Sequence, residues 1–245
     1  MLQACLNGSR SRDFHPNTPL TPAELAADAA AVLAAGATEL HLHPRDEAGA
    51  ETLDPVHVAA ALEAIRARVP GTPIGLSTHA GIAPGGAGRL EAVKAWTVLP
   101  DYVSVNLIEE DAPEMIALAI SRGIGVEAGL WSEADAERFV KLPEARQALR
   151  ILIEINEQDA AEGLEVAAAI RKVLARASLD VPVLQHGLDA TMWPLYHDAL
   201  LRELDSRIGL EDGKLLPNGS IAADNAALIK AAMLMARMPP DVRTA

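Results

Sequence analysis

Eight short runs of strand-like character, each six or seven residues long, recur along the chain and alternate with longer, alanine-rich stretches. The runs are LQACLN (2–7), TELHLH (38–43), PIGLST (73–78), DYVSVNL (101–107), GIGVEAG (123–129), RILIEIN (150–156), VPVLQHG (181–187) and RIGLED (207–212). Each predicts a β-strand, because apolar and β-branched residues dominate and turn residues bound most of them. The stretches between them predict helices. TPAELAADAAAVLAAG carries Thr21 as N-cap, Pro22 at the first helical position, Glu24 at the capping-box position and Gly36 as a stop. DPVHVAAALEAIRARVPG repeats that logic with Asp54 and Pro55. DAPEMIALAISRG opens on acids and ends on Arg122 and Gly123, as the helix dipole prefers. Ser132 caps a further helix. The segment after the third strand is shorter and glycine-rich at its start.

Strand followed by helix, eight times without a break in composition, predicts a (β/α)8 TIM barrel spanning residues 1–245 as a single domain. Many strands are apolar on both faces, as parallel strands covered by helices should be. An open doubly wound sheet is the alternative. The glycine fingerprint it would carry after its first strand is missing, since NGSRSRDFHPN is not G-x-G-x-x-G.

Composition narrows the function. Half of the 245 residues are hydrophobic, and the net charge is −13. An acidic chain repels phosphate backbones, so no nucleic-acid partner is expected. No apolar run reaches the roughly 18 residues of a membrane span, and no secretory leader pattern opens the sequence; a cytoplasmic protein is expected. The single cysteine, Cys5, cannot form an internal disulfide and reads as an apolar filler on the first strand.

Barrel active sites lie where strands end and the following loops begin. Those positions hold Asn7, His41, His43, Arg45, Asp46, Ser77, Thr78, His79, Ser104, Asn106, Glu127, Glu154, Asn156, Gln185, His186, Arg207, Glu211 and Asp212. Polar groups thus converge on one rim from all eight strands. His41 and His43 stand two apart, so they share a strand face. Two neutral imidazoles suit zinc or another first-row divalent ion; an isolated H-x-H can equally be a structural pair. A catalytic ion needs a third ligand, and Glu211 on the last strand comes near the second strand when the barrel closes. Glu127 and His186 read equally as mouth-lining structure or as substrate contacts, Glu154 more as structure than as a contact, and Arg45 with Asp46 as a loop-fixing salt bridge or as part of the site. Trp131 reads as packing.

HLHPRD, STHAG, the fourth-strand SVN and RIGLED resemble the β-keto acid cleavage enzymes, of which 3-keto-5-aminohexanoate cleavage enzyme is the named example. The early NGSRSRDFHPNTPLTPAELAADA fits the same order of strand, Asn-Pro loop and capped helix. The resemblance implies a zinc-dependent barrel with His41, His43 and Glu211 as metal ligands and one zinc per chain. It implies polar catalytic and binding roles for Ser77, Ser104 and the pair Arg207 and Asp212. The reaction it implies condenses a β-keto acid with acetyl-CoA and releases acetoacetate and a new CoA thioester. Homo-oligomers are also implied.

A β-keto acid offers ketone and carboxylate oxygens to one cation, which suits such a site. On this reading Asp212 removes the α-proton, with Arg207 holding its orientation and charge. Thr78, Asn106, Glu127, Asn7 and Arg45 are candidate substrate contacts, and amides of the Gly81–Gly88 loop are candidate carboxylate donors. Four departures stand out. Ser9 and Arg10 occupy a region where relatives often carry glutamate, which favours a neutral or acidic substrate tail over an ammonium. His79 replaces a frequent glycine. NEQDAAEG lacks a Gly-Gly-x-Pro type loop, and the chain is shorter between its fourth and sixth strands; both bear on the side that would meet CoA. A metal-dependent hydrolase or lyase working without CoA is the alternative enzyme, and a ligand-binding barrel without turnover is the non-enzymatic one.

Overall fold

The structure, a computed structural model, describes residues 1–238; the last seven residues of the expected domain lie outside it. Eight parallel strands form the barrel: β1 (Leu2–Cys5), β2 (Glu39–Leu42), β3 (Ile74–Ser77), β4 (Tyr102–Asn106), β5 (Gly125–Leu130), β6 (Arg150–Ile155), β7 (Val183–Gly187) and β8 (Ser206–Ile208). Each strand from β1 to β6 pairs with the next, and β8 pairs with β1. The ring closes through a short seam between β7 and the start of β8. There Leu184 bridges Asp205, the Gln185 amide donates to Asp205 at 3.0 Å, and the Ser206 hydroxyl donates to the Gln185 carbonyl at 2.7 Å.

Eight helices surround it: α1 (Pro22–Ala35), α2 (Pro55–Arg68), α3 (Gly88–Ala95), α4 (Ala112–Ser121), α5 (Glu133–Phe139), α6 (Ala160–Arg176), α7 (Met192–Leu201) and α8 (Asn225–Arg237). The expected caps are present. Thr21 accepts from the Glu24 amide while Glu24 reaches back to the Thr21 amide, and Gly36 ends α1 at a positive φ of 122°. Asp54 accepts from the Val56 amide, and Ser132 from that of Asp135. Each cap satisfies helix-end donors that would otherwise be orphaned. The inner faces follow the helical period, with Leu25, Ala29 and Val32 buried on α1 and Ala167, Ile170 and Leu174 on α6. Each large aliphatic side chain buried this way contributes about 1.5–3 kcal/mol. Cys5 is fully buried within β1, as expected. Among the described residues no helix is long and apolar enough to cross a membrane.

One boundary differs in a way that matters. The last strand ends at Ile208 rather than running to residue 212. Its partner β1 ends at Cys5, and a Cβ on Gly209 would lie 1.9 Å from the Cys5 carbonyl oxygen. The chain turns there, with the Asp212 and Gly213 amides both donating to the Gly209 carbonyl at 2.9 and 3.0 Å. Glu211 and Asp212 therefore sit on a turn above β8.

Candidate metal centre and active site

His41 on β2 and His43 just beyond its end point into the barrel mouth together, with ring centroids 5.5 Å apart. Their backbone is clamped. Asn7 accepts from the His43 amide and donates to the His43 carbonyl, both at 2.9 Å, and donates again to the Pro19 carbonyl. Glu211 arrives from the turn after β8. Its Oε1 lies 3.7 Å from His41 Nε2 and 3.6 Å from His43 Nε2. The approach requires Gly8, whose φ is +50° and where a Cβ would fall 2.3 Å from Glu211 Cγ.

These three residues form a group whose donor atoms lie within 4.8 Å of one another. Zinc–ligand bonds of about 2.0–2.2 Å arranged tetrahedrally separate ligand atoms by roughly 3.3 Å, so the two Glu211–histidine separations need to close by only a few tenths of an ångström. The donor set fits a divalent ion chemically as well. Glu211 Oε2 is buried and has no hydrogen-bond partner. Burial, the largest influence, holds His41 down to about 3, so it is a neutral imidazole with a free lone pair. Burial also opposes charge on His43, but the Glu211 and Glu51 carboxylates outweigh it and lift His43 to about 9. A cavity field that draws a proton onto His43 is one that would favour a metal cation in its place. His43 Nδ1 is bonded to Glu51, the outer carboxylate that fixes ring orientation at many metal sites.

Arg207 binds the remaining charge. Its Nη2 donates to Glu211 Oε1 at 2.9 Å and to Asp212 Oδ1 at 2.8 Å, and its Nε donates to His186 Nδ1 at 3.3 Å. Burial works against both charges, yet the pairing holds Glu211 well below the usual carboxylate range and Arg207 above its own. His186, on β7, also has Nδ1 3.4 Å from Asp212 Oδ1, and its Nε2 is 3.8 Å from Glu154 Oε2. Burial opposes the Glu154 charge as well, but His186 and Arg207 outweigh it and hold that carboxyl below the usual range.

His41, His43, Arg207 and Glu211 border a cavity of about 170 Å³, whose walls also carry Ser9, Arg10, Ser77, His79, Ser104, Asn106, Trp131 and Glu154. That volume suits a small molecule, being below the roughly 300–1,000 Å³ of sites for drug-sized ligands. Arg10 stands at the mouth, paired with Asp189 at 2.8 Å and stacked over Phe14.

The structure brings His41, His43, Glu211, Arg207, Ser77, His79, Ser104, Asn106 and Glu154 together at this cavity and places the other candidates off its wall. Asn7 serves the His43 backbone. The Thr78 hydroxyl donates to the Ser104 carbonyl at 2.7 Å and is fully buried. Glu127 is also fully buried, against Gln3 at 2.8 Å and Arg150 at 3.2 Å. Arg45 donates to the carbonyls of Gly8, Arg10 and Gly49, which ties loops together, and it borders a second cavity of about 540 Å³ beside the start of α1. Asp46 caps the same turn through the Ala48 and Ala50 amides. Asp212 has no exposed surface and is not on the cavity wall. Nor is any residue of the 81–88 loop, where the Gly81 amide is taken by His79, that of Ile82 by the His79 carbonyl and that of Gly85 by Ile82. Sequence reasoning missed Glu51 and the position of Trp131. The Asp46–Gly49 turn was the available signal for Glu51, since it folds that residue back against Arg45.

A profile of the family described as beta-keto acid cleavage enzyme matches residues 1–159, which include His41 and His43. The 3-oxoadipate:acetyl-CoA acetyltransferase of Cupriavidus necator is 27% identical over 248 residues, covering 94% of this chain and 85% of its own. Among solved structures, apo ObcA aligns with a TM-score of 0.74 at 16% identity, covering 89% of this chain and 61% of that one. A ternary complex of ObcA with a C4-CoA adduct and oxalate gives 0.73 at 17%, covering 89% and 63%. At that identity the likeness speaks to the fold, and this chain spans about three fifths of the ObcA length.

Proposed function

The chain belongs to the β-keto acid cleavage enzyme family, and from that premise we propose that it condenses a β-keto acid with acetyl-CoA at a zinc ion held by His41, His43 and Glu211, and releases acetoacetate and a new acyl-CoA. The observation that carries this reading is the convergence of two imidazole nitrogens and the Glu211 carboxylate, whose Oε2 has no partner, at a small polar cavity. Acetyl-CoA as the second substrate is supported by the name of the Cupriavidus necator relative.

When bound, the ion supplies Lewis acidity at the ketone oxygen, worth several kcal/mol to a developing enolate. The rest falls to the chain. Glu51 holds the His43 ring so that Nε2 faces Glu211. Arg207 anchors Glu211 and keeps it anionic. The Ser77 and Ser104 hydroxyls and the Asn106 amide line the cavity and supply hydrogen bonds to the substrate carboxylate and ketone. Arg10 at the mouth supports a substrate with a second, terminal carboxylate, the class to which 3-oxoadipate belongs.

The test is incubation of the zinc-loaded protein with acetyl-CoA and a panel of β-keto acids carrying neutral, cationic and anionic tails, with CoA esters read by mass. The expected result is acetoacetate together with an acyl-CoA matching the tail, fastest for the anionic member. Absence of any new CoA ester across the panel would overturn the reading.

A further inference from the structure

We propose that Asn225 is a positioning residue for the metal centre: its one buried amide ties the segment that carries Glu211 to the segment that clamps His43. This rests on the metal-site part of the reading above. The need for such a residue follows from the sheet. The ladder between β1 and β8 runs in register only from Leu2 and Ser206 to Ala4 and Ile208. Past the strand ends the Glu211 amide reaches the Cys5 carbonyl at a long 3.4 Å. Leu6 and Leu210 are nevertheless fully buried. Buried backbone groups need partners, so the Leu6 carbonyl and the Leu210 amide cannot be left to water.

Asn225 opens α8, is itself fully buried, and supplies both partners. Its Oδ1 accepts from the Leu210 amide at 2.7 Å, and its Nδ2 donates to the Leu6 carbonyl at 2.8 Å. A side-chain amide thus stands in for the peptide group that the ladder lacks there. Nδ2 also donates to Asp28 Oδ2 on α1 at 2.7 Å. That third bond fixes the sense of the amide. Turned over, its NH2 would face the Leu210 N–H, and its oxygen would face a carbonyl and a carboxylate.

Each end of this bridge is one residue from the metal centre. Leu210 precedes Glu211, whose Oε1 lies 3.7 and 3.6 Å from the two histidine nitrogens. Leu6 precedes Asn7, which grips the His43 amide and carbonyl, and the Leu6 amide itself donates to the His41 carbonyl at 2.9 Å. Hydrogen bonds of 2.7–2.9 Å and single backbone steps therefore run from His43 through Asn7 and Asn225 to Glu211. Arg207 holds the Glu211 carboxylate; Asn225 holds the backbone from which that side chain springs. A ligand set meets a cation at full affinity only when its members are held at the right separation before the cation arrives.

The experiment measures zinc affinity by competition with a chromogenic chelator, beside the visible spectrum of the cobalt(II)-loaded protein, which reports how the ligands are arranged. Asn225→Leu keeps the side chain's bulk and removes its hydrogen bonds. It should weaken zinc by roughly 10–100-fold and change the cobalt spectrum. Leu228→Ala, a cavity variant on the buried face of the same helix, controls for lost stability; it should keep wild-type zinc affinity and the wild-type spectrum. Asn225→Asp combined with Asp28→Asn exchanges amide and carboxylate. It preserves an acceptor for Leu210 and a bond to residue 28 but loses the donor to Leu6, so its affinity should fall between those of the wild type and Asn225→Leu. Should the leucine variant fail to fold, this exchange decides alone. Wild-type affinity and spectrum in the deciding variant would overturn the proposal, and so would equal losses in Leu228→Ala, which would assign the effect to helix packing. A wild-type protein that takes up neither zinc nor cobalt would bring down the metal reading itself.

Discussion

Two levels of polar side chains fill the barrel, and they are built to opposite ends. Toward the strand starts lie Gln3, Glu39, Tyr102, Glu127 and Arg150. There Arg150 is bonded to Glu39 and lies 3.2 Å from Glu127, Gln3 donates to Glu127 and to Tyr102, and the Tyr102 hydroxyl donates to the Leu40 carbonyl at 2.7 Å. Every charge meets its opposite within the level, although Glu127 Oε2 and Arg150 Nε are buried without a hydrogen bond, and none of these residues lines the cavity. Toward the strand ends lie His41, His43, Glu154, His186, Arg207 and Glu211. That level keeps uncommitted atoms, among them Glu211 Oε2 and His186 Nε2, both buried. Buried polar atoms without partners are costly. A folded chain that concentrates them beside a cavity has reserved them for something that arrives later. Neither burial of charge nor an unpaired buried atom marks a site by itself; what sets the upper level apart is that its unpaired atoms stand beside a cavity.

Removing one member from each level separates the two. The largest effect is expected from His41→Ala. It should leave no stoichiometric zinc on the protein and cut turnover by roughly a thousandfold or more, since Lewis-acid stabilisation is worth several kcal/mol and each ~1.4 kcal/mol is a decade. The fold should persist, because His41 has no charged partner of opposite sign to strand except Glu211, which keeps Arg207. Metal analysis and circular dichroism check both halves; full metal occupancy in this variant would remove His41 from the ligand set. The next effect belongs to the lower level. Arg150→Met strips the counter-charge from Glu127, which is fully buried, and should cost about 3–5 kcal/mol of stability. Denaturant unfolding reads that loss, while zinc stoichiometry at low temperature should stay that of the wild type. A variant as stable as the wild type that binds no metal would reverse the distinction between the levels.

The barrel was legible because its signals are local. Helix caps such as Thr21, Asp54 and Ser132 and the eight strand-like runs each announce themselves within a few residues. The pair of histidines was legible for the same reason, since a spacing of two on a strand fixes a shared face. Glu211 required only that a barrel closes. What escaped depends on the turn beyond β8. Glu211 and Asp212 look like one acidic unit in the sequence, yet on that turn Glu211 faces the cavity and Asp212 the buried Arg207–His186 side. Glu127 and Thr78 look like rim residues until strand position shows one lying deep and the other pinning the Ser104 backbone. Trp131 reached the cavity wall from a loop after β5, where no periodicity dictates direction.

Glu51 tests the comparison most finely, because it belongs to neither level. It comes from the loop after β2 and reaches the metal centre only through His43 Nδ1, with the Ser9 hydroxyl donating to its Oε1 at 3.2 Å. Its carboxyl is opposed by burial but held below the usual range by the His43 bond and charge. If the upper level is a preorganised ligand set, the outer carboxylate matters through orientation, and Glu51→Ala should weaken zinc binding about 10–100-fold without abolishing it. Glu51→Gln, which keeps an acceptor oxygen, should recover part of that loss. Competition with a chromogenic chelator measures both affinities. Unchanged affinity in the alanine variant would mean that Asn7, gripping the His43 backbone at both its amide and its carbonyl, already fixes the ring. Preorganisation would then be a property of the strand end itself, and the loop after β2 would be free to serve the second cavity that Arg45 borders.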